Sequence, residues 1–123
     1  MAGADLTIEW STLIALTSED ITKLKLDGVE GVYRVSKKEP DGKFYVVYIG
    51  SAPDLKSELL KLISESSPFQ TYYSQGGDFS FRYAPLAGEE MRKAVEKQMY
   101  KQYAPRFNSR EPISPLEVKA NLN

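Results

Sequence analysis

This 123-residue chain contains no cysteine and no histidine. Disulfides, thiolate zinc sites, cysteine nucleophiles, Ser-His-Asp catalysis and histidine-ligated metals are therefore excluded. Any chemistry must come from carboxylates, tyrosines, basic side chains and hydroxyls. Tyr33 and Tyr48 lie near the two ends of one stretch, GVYRVSKKEPDGKFYVVYIG, spanning residues 31–50. Glu58 and Glu96 each sit at the border of the apolar stripe of an amphipathic segment, a position half-exposed at most. The bases are unevenly spread. Residues 82–110, which include Arg82 and Arg106, carry seven lysines and arginines against three glutamates, whereas residues 1–30 carry six acids against two lysines. Such a gradient can form a weak phosphate-binding footprint or simply a solvated helix face.

The elements that must position these groups are readable from pattern. Gly31–Val35 alternates as a half-buried strand does, and Pro40-Asp41-Gly42 supplies turn chemistry. Phe44–Ile49 is a nearly continuous β-branched and aromatic run, suited to a strand buried on both faces. Paired antiparallel, the two strands bring Tyr33 and Tyr48 into one small sheet. Before them, residues 1–17 offer Trp10, Leu13, Ile14 and Leu16 as anchors, and Thr17-Ser18-Glu19-Asp20 starts a short helix ending near Leu24. After them, Asp54 is an N-cap for a helix over LKSELLKLISES, with Leu55, Leu59, Leu62 and Ile63 on its apolar stripe. Ser66–Asp78 reads as a loop, and Phe79–Ala84 as a third strand with Phe79, Phe81 and Tyr83 on one face. A final helix runs from Glu89 to Tyr103, with Met91, Val95 and Met99 buried and Lys93, Lys97 and Lys101 on the solvated side. Pro105 stops it, and Pro112 and Pro115 keep the tail irregular. The expected fold class is α+β: a three-stranded, mainly antiparallel sheet flanked by helices in a ββαβα order.

The bulk numbers describe an ordinary globular chain: 41% hydrophobic, 27% charged, mean hydropathy −0.41, net charge −1 and pI near 5.5. Length allows one domain. No apolar run approaches the roughly 20 residues of a membrane span, and MAGADLTIEW lacks the features of a signal peptide. A cytoplasmic protein without membrane association is the expectation.

Gly31-Val32-Tyr33 followed by Tyr48-Ile49-Gly50 resembles the two-part signature of the GIY-YIG nucleases. The resemblance continues through YIGSAPDLKSELLKL, similar to the family's second strand and first helix, and through EKQMYKQYAPRFN, similar to a later helix with the catalytic glutamate at its head and Pro-x-x-Asn at its end. It covers residues 31–108 as a GIY-YIG-like domain, with 1–30 as an N-terminal extension containing a short helix and 109–123 as a C-terminal tail. The resemblance implies catalytic roles for Tyr33 and Tyr48 in activating water, a divalent metal (Mg²⁺ or Mn²⁺) on Glu96, and a supporting role for Asn108. It also implies DNA as a partner, with Lys56, Lys61, Arg82, Arg106 and Asn108 as nucleic-acid-binding candidates.

The chain also departs from the pattern. Glu58 stands where the family's arginine stabilises the phosphate, and Lys56 and Lys61 lie about 160° and 60° from it on a helical wheel. Ser51 stands where many members place a basic or polar residue, and the linker between the tyrosine motifs is a few residues longer than usual. Losing one electrostatic contact to developing charge typically costs roughly 10²–10³-fold in rate, and reversing its sign should cost more. The resemblance therefore implies a divergent or catalytically impaired nuclease-like domain that binds nucleic acid. The alternatives are an active metal-dependent endonuclease and a protein-interaction module using the fold alone. Each candidate also has a structural reading: strand aromatics for the tyrosines, a surface helix residue for Glu96, a turn or cap for Asn108.

Overall fold

A computed structural model describes residues 4–64, 68–108 and 111–122. In chain order the elements are β1 (Ala4–Leu6), β2 (Ile14–Ala15), α1 (Ser18–Thr22), β3 (Gly31–Lys38), β4 (Phe44–Ala52) and α2 (Leu55–Ser64). They continue with α3 (Pro68–Ser74), β5 (Phe79–Pro85), α4 (Glu89–Tyr103) and β6 (Val118–Ala120). The class is α+β, and the three expected strands form an antiparallel sheet with helices packed on it. A fourth strand extends that sheet, giving the order β2-β5-β3-β4. The short β2 pairs with β5 through Ile14 and Phe81.

Local chemistry sets several boundaries. Thr17 caps α1, its side chain accepting the Asp20 N–H at 3.1 Å. Asp54 caps α2 in the same way through the Ser57 N–H at 3.2 Å. The last helix starts at Glu89 and ends at Tyr103, as its periodicity predicts, and Ala104 closes it in the left-handed region at φ 44°.

Three expectations are corrected. Burial of the hairpin strands is the reverse of what their patterns suggest. The alternating β3 is the central strand, and its residues Gly31–Ser36 are all buried. The apolar β4 is an edge strand whose Phe44 and Tyr45 are exposed. Polar Arg34 is tolerated inside because its Nη1 donates to Tyr103 Oη at 2.8 Å and to the Leu122 carbonyl. The expected loop contains α3: Pro68 suits a first helical position, and Phe69 is drawn into a cluster with Tyr48 and Phe79 at 5.0 and 5.8 Å between ring centres. Residues 66 and 67 of that loop lie outside the described residues. The tail is not irregular throughout, since β6 pairs in parallel with β1, aligning Ala4 with Val118. Of the four N-terminal anchors, Leu16 is buried, Ile14 and Trp10 pack on the cores, and Leu13 is exposed.

The sheet separates two cores. Tyr33, Val35, Leu55, Leu59, Phe69 and Phe81 face α1, α2 and α3, while Val32, Ile49, Ala84, Val95 and Met99 face α4 and the β1–β6 pair. Gly31 is required by this packing. A Cβ there would lie 2.2 Å from the Ala84 carbonyl oxygen and 3.0 Å from Leu55 Cδ1. Among the described residues no helix is long and apolar enough to cross a membrane.

Candidate active site

Alternation along the hairpin places both tyrosines on one face of the sheet. Tyr33 of β3 is directly opposite Gly50 of β4, and Val35 is opposite Tyr48, so the two phenols are diagonal neighbours. Their ring centres are 6.4 Å apart. Gly50 makes this possible, because a Cβ there would sit 2.4 Å from Tyr33 Oη and 2.6 Å from Cζ. The ring of Tyr33 therefore crosses over Gly50 toward α2, and its hydroxyl donates to Glu58 Oε2 at 3.1 Å.

The middle of α4 completes the site from the other side. Glu96 is buried at 7% exposure. Ser51 Oγ donates to its Oε2 at 2.7 Å, and Lys93 Nζ lies 3.3 Å from the same oxygen. Neither contact engages Oε1. Asn108 follows the helix and clamps the free edge of β4. Its Oδ1 accepts the Ile49 N–H at 2.9 Å, and its Nδ2 donates to the Ile49 carbonyl at 3.0 Å. Beside it, the Phe107 N–H donates to the Val47 carbonyl at 2.9 Å. The arrangement satisfies edge-strand groups that would otherwise face solvent.

These residues line one open cleft of about 490 Å³: Tyr33, Tyr48, Gly50, Ser51, Glu58, Lys93, Glu96 and Asn108, with Glu111 and Ile113 at the rim. Its described walls carry three carboxylates and a single ammonium. That balance shows in the phenols. Burial pushes Tyr33 well above the ordinary tyrosine value, and the Glu58 carboxylate adds to the effect. Tyr48 is raised in the same way, by burial first and then by Glu58 and Glu96. At neutral pH both phenols are hydroxyls, so Tyr33 is a hydrogen-bond donor to Glu58.

The other cationic candidates lie elsewhere. Lys56 pairs with Asp27 at 3.5 Å, and Arg106 with Glu39 at 2.6 Å. Lys61 is exposed on α2, and Arg82 lines a separate pocket with Arg34. The cleft's cation is instead Lys93, which pattern alone assigns to the solvated face. The signal was its spacing: three residues before Glu96 on a helix, it is within reach of that carboxylate.

Among the described residues no three acidic side chains gather as a metal-binding cluster. The donor set nevertheless fits a hydrated Mg²⁺ or Mn²⁺. Such an ion takes one or two carboxylates and keeps several waters, and the cleft beside Glu96 has room for them. Lys93, 3.3 Å from Glu96 Oε2, would stand beside an ion held by that carboxylate.

The sequence matches no protein-family model and no curated protein. It is similar in structure to the GIY-YIG N-terminal endonuclease domain of UvrC from Thermotoga maritima, solved with its catalytic magnesium ion: TM-score 0.58, 23% identity, 73% of this chain and 97% of that one. Two point mutants of that domain, each bound to its catalytic divalent cation, give TM-scores of 0.54 and 0.55 at 22% and 21% identity. Both cover 75% of this chain and 98% of theirs. The chain has the GIY-YIG fold.

Proposed function

We propose that this chain is a GIY-YIG nuclease-like domain that binds nucleic acid and is impaired in phosphodiester hydrolysis. The observation carrying the proposal is the hydrogen bond from Tyr33 Oη to Glu58 Oε2 inside the cleft shared with Tyr48 and Glu96. Where charge develops on a phosphate, catalysis needs a cation or a directed donor. In this reading Glu58 occupies the family's arginine position, and an anion faces the phosphate. Tyr33 is committed to that anion as a donor, which leaves it poorly suited to act as a base. Glu96 is the candidate metal ligand, Ser51 and Lys93 hold its carboxylate, and Asn108 fixes the strand carrying Tyr48 and Gly50. Glu96 would hold a divalent ion, which would supply phosphate neutralisation and Lewis acidity there. Lys93 offers the chain's own cation to a phosphate in the cleft.

A second reading, an active metal-dependent endonuclease, is favoured by one feature. Tyr33, Tyr48, Glu96 and Asn108 line a single cleft that is open to substrate.

The test is a cleavage assay on plasmid and branched DNA with Mg²⁺ and with Mn²⁺, comparing wild type with Glu58→Arg and Glu96→Ala. The impaired reading expects cleavage by Glu58→Arg at least 10²–10³-fold faster than by wild type, roughly the value of one such contact. Salt-dependent DNA binding by wild type should accompany it. Wild-type cleavage abolished by Glu96→Ala, with no gain from Glu58→Arg, establishes the active enzyme instead. Neither cleavage nor DNA binding at low salt removes both readings and leaves the interaction module.

A further inference from the structure

On the face of β3 opposite Tyr33, two arginines are set side by side. Arg34 of β3 and Arg82 of β5 are directly aligned across the antiparallel pair. Like charges in that relation destabilise a sheet. Among the described residues neither guanidinium has a carboxylate within ion-pair distance, which is 4.0 Å. Arg34 bears most of the cost, being only 8% exposed. Burial holds its pKa below the usual arginine value, and the Arg82 charge works in the same direction while Tyr103 opposes it.

The surroundings keep Arg34 in place. Its guanidinium lies 4.4 Å from the Trp10 ring centre and 5.4 Å from that of Tyr103. Among the described residues both its hydrogen bonds use Nη1, and none engages Nε or Nη2. Next to the pair is a pocket of about 380 Å³ lined by Arg34, Arg82, Ser36, Tyr103, Phe44 and Leu13, among others. Its lining is thus partly polar, and Phe44 and Leu13, each more than a third exposed, add apolar surface to it.

We infer that this pocket is a second binding site, separate from the tyrosine cleft, that takes a phosphate monoester carried on an apolar or aromatic body. Two guanidinium charges match a phosphate dianion, whereas a carboxylate would leave one charge uncompensated. Planar forks bind phosphate oxygens in bidentate fashion. The Ser36 hydroxyl can donate to a remaining oxygen, and Phe44 and Leu13 cover the organic part. The inference is independent of nuclease activity.

Thermal unfolding with inorganic phosphate and with phenyl phosphate tests it, against sodium chloride at matched ionic strength. Wild type should show a saturable rise in Tm with both, phenyl phosphate binding about tenfold tighter through its buried ring. Arg82→Gln should have an unligated Tm no lower than wild type, because a repulsion is relieved, and should lose the saturable rise. Phe44→Ser should keep the response to phosphate and lose the preference for phenyl phosphate. A 5′-phosphorylated oligonucleotide beside its unphosphorylated form shows whether a nucleic-acid end or a small ester is the better ligand. Side-chain NMR signals of Arg34 and Tyr103 followed in wild type give the answer even if a variant fails to fold. No saturable response in wild type, or an equal response in Arg82→Gln, overturns the inference.

Discussion

Replacing Gly50 by alanine tests whether the glycine of the second motif is there for the tyrosine of the first. Gly50 does not have a positive φ, so alanine meets no backbone penalty and the cost is steric. The added Cβ would fall 2.4 Å from Tyr33 Oη, 2.6 Å from Cζ and 2.9 Å from Cε1, against 3.4 Å for ordinary contact. The ring must retreat by about 1 Å, and it is buried at 1% exposure with little room to move. Overpacking of this kind costs roughly 1–3 kcal/mol. The same displacement breaks the bond to Glu58, roughly 1.5–3 kcal/mol for a charged acceptor and toward the lower end because Glu58 is only half-buried. The sum is roughly 2.5–6 kcal/mol, a large part of a small domain's stability. Urea unfolding followed by circular dichroism measures it. Tyr33→Leu and the double variant complete a cycle: with the ring gone the alanine should cost little, leaving a coupling above about 1.5 kcal/mol. A Gly50→Ala cost below about 1 kcal/mol, or additive variants, would refute the reasoning.

Three further outcomes follow from the same geometry. Asn108→Ala should destabilise the domain by roughly 1–3 kcal/mol, since it strips two hydrogen bonds from Ile49; faster hydrogen exchange of the Ile49 amide is the direct check, and unchanged protection contradicts it. Raised folded-state values for Tyr33 and Tyr48 mean that folding favours their neutral forms, so the associated stability is present below the unfolded value near 10.0 and is lost as pH rises through the folded values. Urea midpoints should fall above about pH 10, less steeply in Tyr33→Phe, and equal slopes count against the assignment. Lys93→Gln removes the ammonium 3.3 Å from Glu96 Oε2 and should tighten Mn²⁺ binding by roughly three- to tenfold in calorimetry, the scale of one half-exposed pair. Unchanged or weaker binding shows that the Lys93 charge does not oppose an ion at Glu96.

What the sequence made legible was whatever has a local cause. The last helix carries its own periodicity and has Gly88 before it and Pro105 after it, so both ends were readable. The hairpin carries turn chemistry and β-branched residues, and Asp54 and Thr17 announce their helices. What was not legible depends on partners distant in the chain. The strands Ala4–Leu6 and Val118–Ala120 are three residues each and exist through each other. The helix Pro68–Ser74 looked like a loop because the stretch around it is rich in serine, glycine and tyrosine, and burial of Phe69 overrides that. Burial in the hairpin was misjudged for the same reason. Arg34 reads as a solvent position until Tyr103, Trp10 and the Leu122 carbonyl, all remote in sequence, enclose it. In the cleft, a helical wheel assigned Lys93 to solvent because it gives a direction and ignores the reach of a four-carbon side chain.

The two halves of the tyrosine motif are accounted for by packing that needs no catalysis. Gly31 is demanded by the Ala84 backbone, Gly50 by the Tyr33 ring, and Tyr33 by the core it fills at 1% exposure. Any one of them changed would cost stability whether or not a phosphodiester is ever cut. A GVY and a YIG at this spacing therefore report the fold, and report activity only weakly. The chemistry depends on groups that the core constrains less: Ser51 and Lys93 are half-buried or exposed, and Glu58, also half-buried, touches the core through the hydrogen bond it accepts from Tyr33. In the proposed reading those are the positions that set the chemistry of the site. Glu58→Arg is the informative substitution for that reason. It changes the sign of the charge facing the cleft while leaving the glycines and the hairpin strands as they are; because it also removes the acceptor of the Tyr33 hydroxyl, its urea midpoint is read beside its cleavage rate.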